Sequence, residues 1–318
     1  MSTEPQTLIE AVRYFSDPDV TLNTMVGLRW PNGVHCPTCG RVDVRFIKTR
    51  RVWECKEVHP KRQFTAKAGS IFEDSPLPLD KWFATIWMVA NCKNGVSSYE
   101  VHRAIGVTQK TAWFMLHRIR LAMQAGSLIR AEGHVEADET FVGGLSKNMH
   151  KSRRKAAVKG TGGAGKAIVM GIMERSGGEA RSRVRARVIK SSRKAVLHAE
   201  VRAVVAPGST LYTDTAGGYH GLSGDYKHEI VDHAVEYVRG QVHTNGLENF
   251  WSLLKRGLKG TYVSVEPFHL FRYLDEQAFR FNERANNDYG RFAAVLSWVN
   301  GIRLTYKGLT DNETRATI

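Results

Sequence analysis

The spacing of hydrophobic residues along the chain changes from helical to strand-like near residue 134. Before this point, residues 77–124 carry apolar positions three and four apart, which is typical of amphipathic helices. Beyond it, apolar and polar residues alternate in short runs, as they do in half-buried strands, at 134–144, 167–175 and 183–190. The pattern therefore predicts a helical domain followed by a domain built on a sheet.

The order of elements in the second half predicts its fold class. After the three strands, a helix is predicted over 193–208, and a strand over 209–219 ends in a glycine turn. A short strand at 228–233 and helices at 243–257 and 268–284 follow. Three strands, a helix, two strands and a closing helix form the element order of an RNase-H-like α/β domain.

The helical domain contains a helix-turn-helix pattern. A helix from Asp80 that ends at Gly95 is followed by the short helix "SYEVHRAIG" and by the longer basic helix "TQKTAWFMLHRIRLAM", with Gly106 in the turn between them. In such a motif the second helix enters the major groove of DNA. The residues of this helix predicted to face outward and contact DNA are Gln109, Lys110, Thr111 and His117.

The charge of the chain favours a polyanionic partner. Forty-six lysine and arginine residues against 31 acidic residues give a formal net charge of +15. Such an excess favours nucleic acid, because each phosphate that is neutralised releases counterions. Residues 147–166 hold seven lysines and arginines and no acid, and their glycines predict a loop or hairpin arm. The arm residues predicted to bind DNA are Lys151, Arg153, Arg154 and Lys155.

Three of the four cysteines lie within twenty residues of one another and predict a metal site. Cys36 and Cys39 form a Cys-x-x-Cys knuckle, and Cys55 follows after fifteen residues, at the lower edge of zinc-ribbon spacing. A second knuckle would need a cysteine three positions after Cys55, where the chain has none, but His59 follows directly and can supply an imidazole nitrogen. His35 is the alternative. The predicted ligands of one structural Zn²⁺ are Cys36, Cys39, Cys55 and His59.

Three acidic residues fall where an RNase-H-like fold brings chain segments together. Asp138 lies on the first strand of the domain, Asp214 ends the fourth strand, and Glu248 lies on the helix after the fifth. Converging carboxylates can hold two hard cations that bind the attacking and leaving oxygens in phosphoryl transfer. The sequence therefore predicts two Mg²⁺ or Mn²⁺ ions at these three residues.

Neighbouring acids offer alternatives for the metal ligands. Glu136 shares the strand face of Asp138, because alternate residues of a strand point together, whereas Glu139 points away. Glu136 is therefore the second candidate for the first ligand. The alternatives to the second ligand, neither of which ends a strand in a glycine turn, are Asp225 and Asp232.

These motifs resemble those of DDE-type bacterial insertion-sequence transposases that carry an N-terminal zinc ribbon. The resemblance covers nearly the whole chain and rests on "CPTCG", "QFTAKAGSIFEDSPLPL", "ADETFVGG", "LYTDTAGGY" and "HTNGLENFWSLLKRGLKGTY", in this order. It implies that Asp138, Asp214 and Glu248 are metal ligands and that Lys255, seven positions after the last acid, contacts the DNA end. The family usually has a fourth ribbon cysteine where this chain offers His59.

The helix predicted over 243–257 carries Glu248 and Lys255 on one face, because seven residues are close to two helical turns. The apolar residues expected to anchor this helix to the sheet are Phe250, Trp251 and Leu254. Two polar residues at its start could assist Glu248 or cap the helix, namely His243 and Asn245.

Together these patterns predict a multidomain DNA transposase. The predicted segments are an N-terminal helical segment (1–30), a zinc ribbon (31–75), a helix-turn-helix domain (76–128), an RNase-H-like catalytic domain (129–290) with the basic arm 145–166, and a C-terminal helical tail (291–318). The ribbon and the helix-turn-helix are expected to bind the terminal inverted repeats of an insertion element, and the arm to hold flanking or target DNA. Two ends must be handled together, so a homodimer or larger assembly is expected.

Two other functions fit parts of the sequence. A non-catalytic DNA-binding regulator would explain the first 125 residues, but loss of a carboxylate would be expected and all three are present. A structure-specific nuclease of the same fold would cleave DNA without joining it. The chain has no run of 18 apolar residues and no secretory signal pattern, so a cytoplasmic location at the bacterial nucleoid and no membrane partner are expected.

Overall fold

Two units of regular structure share the chain. The computed structural model describes residues 4–127, 130–143, 166–175, 181–214, 217–231 and 244–310. The described residues up to Ala125 and from Asn286 onward form one unit, and those from Gly126 to Ala285 form the other. Within the part of the chain that is described, every helix is too short or too polar to cross a lipid bilayer.

The first unit begins with two helices and a small sheet. Helices α1 (Leu8–Tyr14) and α2 (Pro18–Arg29) precede an antiparallel sheet of the strands β1 (Val44–Ile47), β2 (Val52–Cys55) and β3 (Gln63–Phe64). Trp53 is buried between Trp30 and Phe64, at ring-centroid distances of 5.7 and 6.1 Å. A core this small supplies little folding free energy, so a ribbon of this kind depends on another source of stability.

Three further helices of the first unit have ends that follow from local sequence. They are α3 (Leu79–Asn91), α4 (Ser98–Ile105) and α5 (Gln109–Met123). The Ser97 side chain caps α4 in a capping box with Glu100, and α4 ends at Gly106, whose φ of 63° is left-handed and favours glycine. The Thr108 side chain accepts a hydrogen bond from the Thr111 amide and starts α5. The predicted glycine turn between α4 and α5 is therefore confirmed.

The end of the described chain completes the first unit. Helices α9 (Asp288–Ser297) and α10 (Tyr306–Thr310) belong to it. Phe292 is buried against Phe83 and Trp87 of α3, at 5.5 Å between ring centroids in each case. This packing was not part of the sequence prediction, which treated residues 291–318 only as a helical tail.

The second unit is built on a mixed five-stranded sheet. Its strands are β4 (His134–Val142), β5 (Ala167–Glu174), β6 (Arg183–Ile189), β7 (Thr210–Asp214) and β8 (Lys227–Val231). They are arranged in the order β6-β5-β4-β7-β8. Strands β4, β5 and β6 pair antiparallel, whereas β7 is parallel to both β4 and β8. The predicted order of these elements is confirmed.

Helices cover both faces of this sheet. They are α6 (Lys194–Val204), α7 (Asn245–Gly257) and α8 (Leu270–Asn282). On β5, Met170 and Ile172 pack with α6, whereas Val169 and Met173 pack with α7 and α8. Strand residues alternate between faces, so these are opposite sides of one sheet.

A glycine lets α7 lie unusually close to the sheet. A Cβ on Gly171 would stand 2.6 Å from the Trp251 ring and 2.8 Å from Leu247 Cδ2, closer than atoms can approach. Gly171 is also the residue paired with Asp138 across β4 and β5. The absent side chain therefore lets the Trp251 ring sit directly beside Asp138.

Candidate functional site

The ribbon gathers four potential zinc ligands. The sulfur and nitrogen atoms offered by Cys36, Cys39, Cys55 and His59 all lie within 4.8 Å of one another. Cys36 Sγ is 3.4 Å from His59 Nε2, and Cys39 Sγ is 3.6 Å from Cys55 Sγ. Four ligands around one Zn²⁺ are separated by roughly 3.5–3.8 Å, given Zn–S and Zn–N bonds of about 2.3 and 2.0 Å. The four side chains therefore fit a tetrahedral zinc ion.

The electrostatics of the cluster also suit a metal. Burial opposes ionisation of Cys36, but the backbone amides of Cys39 and Thr38 outweigh it and lower its pKa to about 6. Thiolate is the form that binds zinc. The alternative ligand His35 is not in the group and instead packs edge-on near Trp30, at 6.0 Å between ring centroids.

Asp138 is held on β4 by two neutral donors. Its Oδ2 accepts a hydrogen bond from Trp251 Nε1 at 2.8 Å, and its Oδ1 accepts one from the Glu139 amide at 2.8 Å. Burial, together with the charges of Asp214 and Glu139, raises the pKa of Asp138 to about 6, against the hydrogen bonds from Trp251 and the Glu139 amide. This carboxylate is thus held in a fixed position where its negative charge is disfavoured.

A second acid and a tyrosine flank Asp138 on the other face of the sheet. Tyr219 donates a hydrogen bond to Glu139 Oε2 at 2.6 Å. Burial and the charge of Asp214 raise the pKa of Glu139, and burial raises that of Tyr219 well above its ordinary value. Asp138 and Glu139, in the middle of β4, therefore lie close enough to Asp214, at the end of β7, for the three acids to repel one another.

Helix α7 presents the third predicted carboxylate. Glu248 is exposed and Lys255 is half-buried, whereas Phe250, Trp251 and Leu254 are buried against the sheet. The predicted anchoring of this helix is confirmed. Glu248 lies three residues before Trp251, and residues three apart are neighbours on a helix surface. Because Trp251 reaches Asp138, Glu248 is carried toward the same edge of the sheet.

The three predicted magnesium ligands are not gathered as tightly as the zinc ligands are. Asp138, Asp214 and Glu248 are all described, yet they do not form a group whose ligand atoms all lie within 4.8 Å. Of the three, Asp138 and Asp214 lie near each other, because the negative charge of Asp214 raises the pKa of Asp138. Carboxylate oxygens nonetheless remain the ligands that Mg²⁺ and Mn²⁺ prefer.

Glu136, the second candidate for the first ligand, is engaged elsewhere. Its Oε1 accepts a hydrogen bond from Arg175 Nε at 2.7 Å, and its Oε2 accepts one from the Leu247 amide at 2.9 Å. As predicted, it shares the strand face of Asp138, since both contact α7. Asp225, an alternative to Asp214, pairs with Arg202 at 2.8 Å, and Asp232 lies outside the described residues.

Of the predicted DNA-contacting residues in α5, only those of the first turn are accessible. Lys110 is exposed, while Gln109 and Thr111 are half-buried. The prediction that His117 faces outward is wrong, because its side chain is 0% exposed and its ring lies 4.5 Å from that of Trp113. Residues 115–120 are all buried, so the packing of the unit encloses the later turns of the helix.

The predicted contacts of the basic arm lie outside the described residues. This holds for Lys151, Arg153, Arg154 and Lys155, for most of the arm 145–166, and for His243 before α7. Asn245 is described and is the exposed first residue of α7.

Sequence reasoning missed three residues around the site. Arg175 and Tyr219 carry no motif of their own, although Tyr219 closes the glycine turn "TAGGY". Gly171 stands inside a run of apolar strand residues, where an isolated glycine signals a close backbone approach. That signal could have located the contact of Trp251 with the sheet.

Comparison with known proteins agrees with this arrangement. Residues 130–282 match the ISXO2-like transposase domain, and residues 19–57 match a transposase zinc-ribbon domain. An uncharacterized protein in transposable element ISH50 of Halobacterium salinarum is 30% identical over 283 residues, which cover 85% of this chain and 92% of that protein.

These matches define the class as insertion-sequence transposases. The chain belongs to the family that joins a transposase zinc ribbon to an ISXO2-like transposase domain. The resemblance inferred from the sequence motifs is thereby confirmed.

The ribbon geometry predicts one bound zinc per chain. His59→Ala should reduce the zinc retained after dialysis against a chelator well below about one equivalent, because three thiolates leave the tetrahedron open. Elemental analysis measures this loss. Cys92→Ala, a cysteine outside the cluster, is the control and should keep its zinc. Unchanged zinc in His59→Ala would assign the fourth position to His35 or to water.

The raised pKa of Asp138 predicts a pH-dependent penalty on stability. The ordinary pKa is 3.8 and the folded value is about 6, so the stabilisation from proton binding is present below pH 3.8 and is lost as pH rises through 6. Without metal, Asp138→Asn should therefore be more stable than the parent at pH 7, by on the order of 2 kcal/mol.

Urea unfolding in a chelator at pH 4 and pH 7 measures this difference. It should shrink to well under about 1 kcal/mol at pH 4, where the folded carboxyl is protonated and the unfolded one is only about half ionised. The asparagine has the size of aspartate and one oxygen that can accept the Trp251 hydrogen bond, but its NH₂ group cannot accept that of the Glu139 amide. The change between the two pH values, where this loss is constant, therefore reports the charge. Equal stability of the two proteins at pH 7 would contradict the assignment of a disfavoured charge to Asp138.

Proposed function

We propose that this protein is a DNA transposase that binds the terminal inverted repeats of an insertion element, cleaves at its ends and joins them to target DNA. The observation that carries the proposal is the set of mutually repelling carboxylates in the middle of β4 and at the end of β7, beside a helix that carries a third predicted ligand. Membership of the transposase family supports the same activity.

We infer that the second unit is an RNase-H-like domain. Support comes from the strand order β6-β5-β4-β7-β8, with three antiparallel strands followed by two parallel ones. Helix α6 between β6 and β7, and α7 after β8, occupy the positions expected of that fold. In this arrangement Asp138 lies on the central strand, which brings it next to residues from both halves of the sheet.

Asp138, Asp214 and Glu248 would hold two Mg²⁺ or Mn²⁺ ions. When bound, such a pair activates a water for attack on a phosphodiester and stabilises the leaving oxygen. Trp251 fixes the direction of the Asp138 carboxylate through its N–H group. Tyr219 fixes Glu139 in the same way on the opposite face. Repulsion between the acids favours cation binding over an empty site.

DNA recognition is assigned to the first unit and to the basic arm. We propose that α4 and α5 form a helix-turn-helix, supported by the left-handed Gly106 between two capped helices. The exposed Lys110 at the start of α5 suits a contact with DNA, as do the ribbon and the arm. Lys255 would bind a phosphate of the DNA end. Handling two ends requires a dimer or larger assembly, located at the nucleoid.

Two rival functions remain distinguishable. A non-catalytic regulator would bind end DNA without cutting it. A structure-specific nuclease would cut it but would not join the freed 3′-hydroxyl to a target strand. An assay that supplies both element ends and target DNA separates all three outcomes in one measurement.

The carboxylate assignment predicts three inactive variants. Asp138→Ala, Asp214→Ala and Glu248→Gln should each lower cleavage and strand transfer in Mg²⁺ by at least about a thousandfold, because the metal pair loses a ligand. Binding to end DNA, measured by gel shift, should stay near the parent value. Asp225→Ala removes a surface acid paired with Arg202 and is the matched control. Near-parent strand transfer in any of the three variants would remove that residue from the site.

The position of Lys255 predicts a role in DNA binding. Lys255→Ala should weaken end binding and strand transfer, and should reduce the slope of log affinity against log salt by about one, because one phosphate contact is lost. Lys255→Arg keeps the charge in a planar group and should be partly active. Lys259→Ala, one turn later and exposed, is the comparison variant. If Lys255→Ala binds and joins DNA ends like the parent, Lys255 takes no part in DNA binding.

A further inference from the structure

The start of helix α7 is capped from a distant part of the chain. The first amides of a helix have no partner within it. At α7 the side chain of the N-cap residue Thr244 makes no capping hydrogen bond. Glu136, on β4, instead accepts the hydrogen bond of the Leu247 amide at 2.9 Å. A carboxylate at this end also interacts favourably with the helix dipole.

The same carboxylate is held by a buried cation. Arg175 Nε donates to Glu136 Oε1 at 2.7 Å, and the exposed fractions of the two side chains are 11% and 2%. The Arg175 guanidinium lies 4.1 Å from the centre of the Tyr212 ring, and the Tyr212 hydroxyl is 2.8 Å from His134 Nδ1. Packing on both sides therefore fixes the ion pair.

The contact leaves no room for a side chain at the second helical residue. A Cβ on Gly246 would stand 2.9 Å from Glu136 Oε2 and 2.5 Å from Met173 Sδ. A side chain here would therefore force Met173 or the Glu136 carboxylate to move. Glu248 follows two residues later, so the position of this first turn sets where its carboxylate lies.

We propose that Glu136 and Arg175 are positioning residues, which hold the first turn of α7 so that Glu248 can bind metal together with Asp138 and Asp214. This inference rests on the proposed function of those three acids. Glu136 does not touch the metal in this scheme. Its charge is matched by Arg175, and its oxygens are used on the helix and the guanidinium.

Two double variants isolate the capping oxygen. Glu136→Leu with Arg175→Met removes the cap and the charge pair together, and leaves no buried charge without its partner. Glu136→Gln with Arg175→Met is matched to it but keeps one oxygen that can accept the Leu247 hydrogen bond. Mn²⁺ binding to the full chain without DNA, followed by electron paramagnetic resonance of the free ion, is the measurement.

The leucine variant should bind Mn²⁺ about tenfold more weakly than the parent, the size typical for losing a residue that supports a metal ligand. The glutamine variant should recover most of that loss. Val201→Ala, in the core on the opposite face of the sheet, controls for lost stability and should bind Mn²⁺ normally at a similar shift in Tm. Equal Mn²⁺ binding by the leucine and glutamine variants would overturn the proposal.

Two further variants keep the test decisive. If the leucine variant does not fold, Gly246→Ala places a Cβ against the Glu136 carboxylate and disturbs the same contact from the helix side. It should also weaken Mn²⁺ binding about tenfold; parent-like binding would overturn the proposal. Glu248→Gln separates this inference from the proposed function. Normal Mn²⁺ binding by Glu248→Gln would overturn the metal site itself. If Glu248→Gln loses Mn²⁺ binding but the leucine variant binds Mn²⁺ like the parent, only the positioning role is overturned.

Discussion

The close approach of α7 to the sheet at Gly171 is the contact on which the acidic site depends. Because this residue has no side chain, the Trp251 ring rests on the strand and its N–H group reaches Asp138 on the neighbouring strand. A larger residue would push the helix outward, and Glu248 would move with it. One missing side chain therefore controls the distance between acids that lie about a hundred residues apart in sequence.

The electrostatics of the site oppose the stability of the fold. Burial and the neighbouring acids raise the pKa of Asp138 to about 6, so its ionisation at neutral pH costs folding stability. A cation would reverse that cost, since it stabilises the ionised form. The ribbon would also be stabilised by a bound metal, because its small core supplies little folding free energy. Under the proposed function both units would couple metal binding to folding, with thiolate and imidazole ligands in one and carboxylate ligands in the other.

The features that the sequence predicted correctly are those that depend on residues close together along the chain. The element order of the second unit, the glycine turn between α4 and α5 and the four clustered ribbon ligands follow from periodicity and spacing. Contacts between distant segments did not follow. The cap of α7 comes from Glu136, 111 residues earlier, and His117 is buried by packing that helical periodicity alone does not specify. Positions of the arm residues lie beyond the described chain.

Strand β4 explains why adjacent acids have different uses. Glu136 and Asp138 face α7, so either could have been the ligand by strand alternation alone. The charge of Glu136 is matched by Arg175 and one of its oxygens caps the helix. Asp138 accepts hydrogen bonds from two neutral N–H groups, which orient it without neutralising it. A carboxylate that is oriented but not neutralised suits a metal ion. Charge compensation, more than the direction of the side chain, therefore distinguishes the proposed metal ligand from the proposed positioning residue.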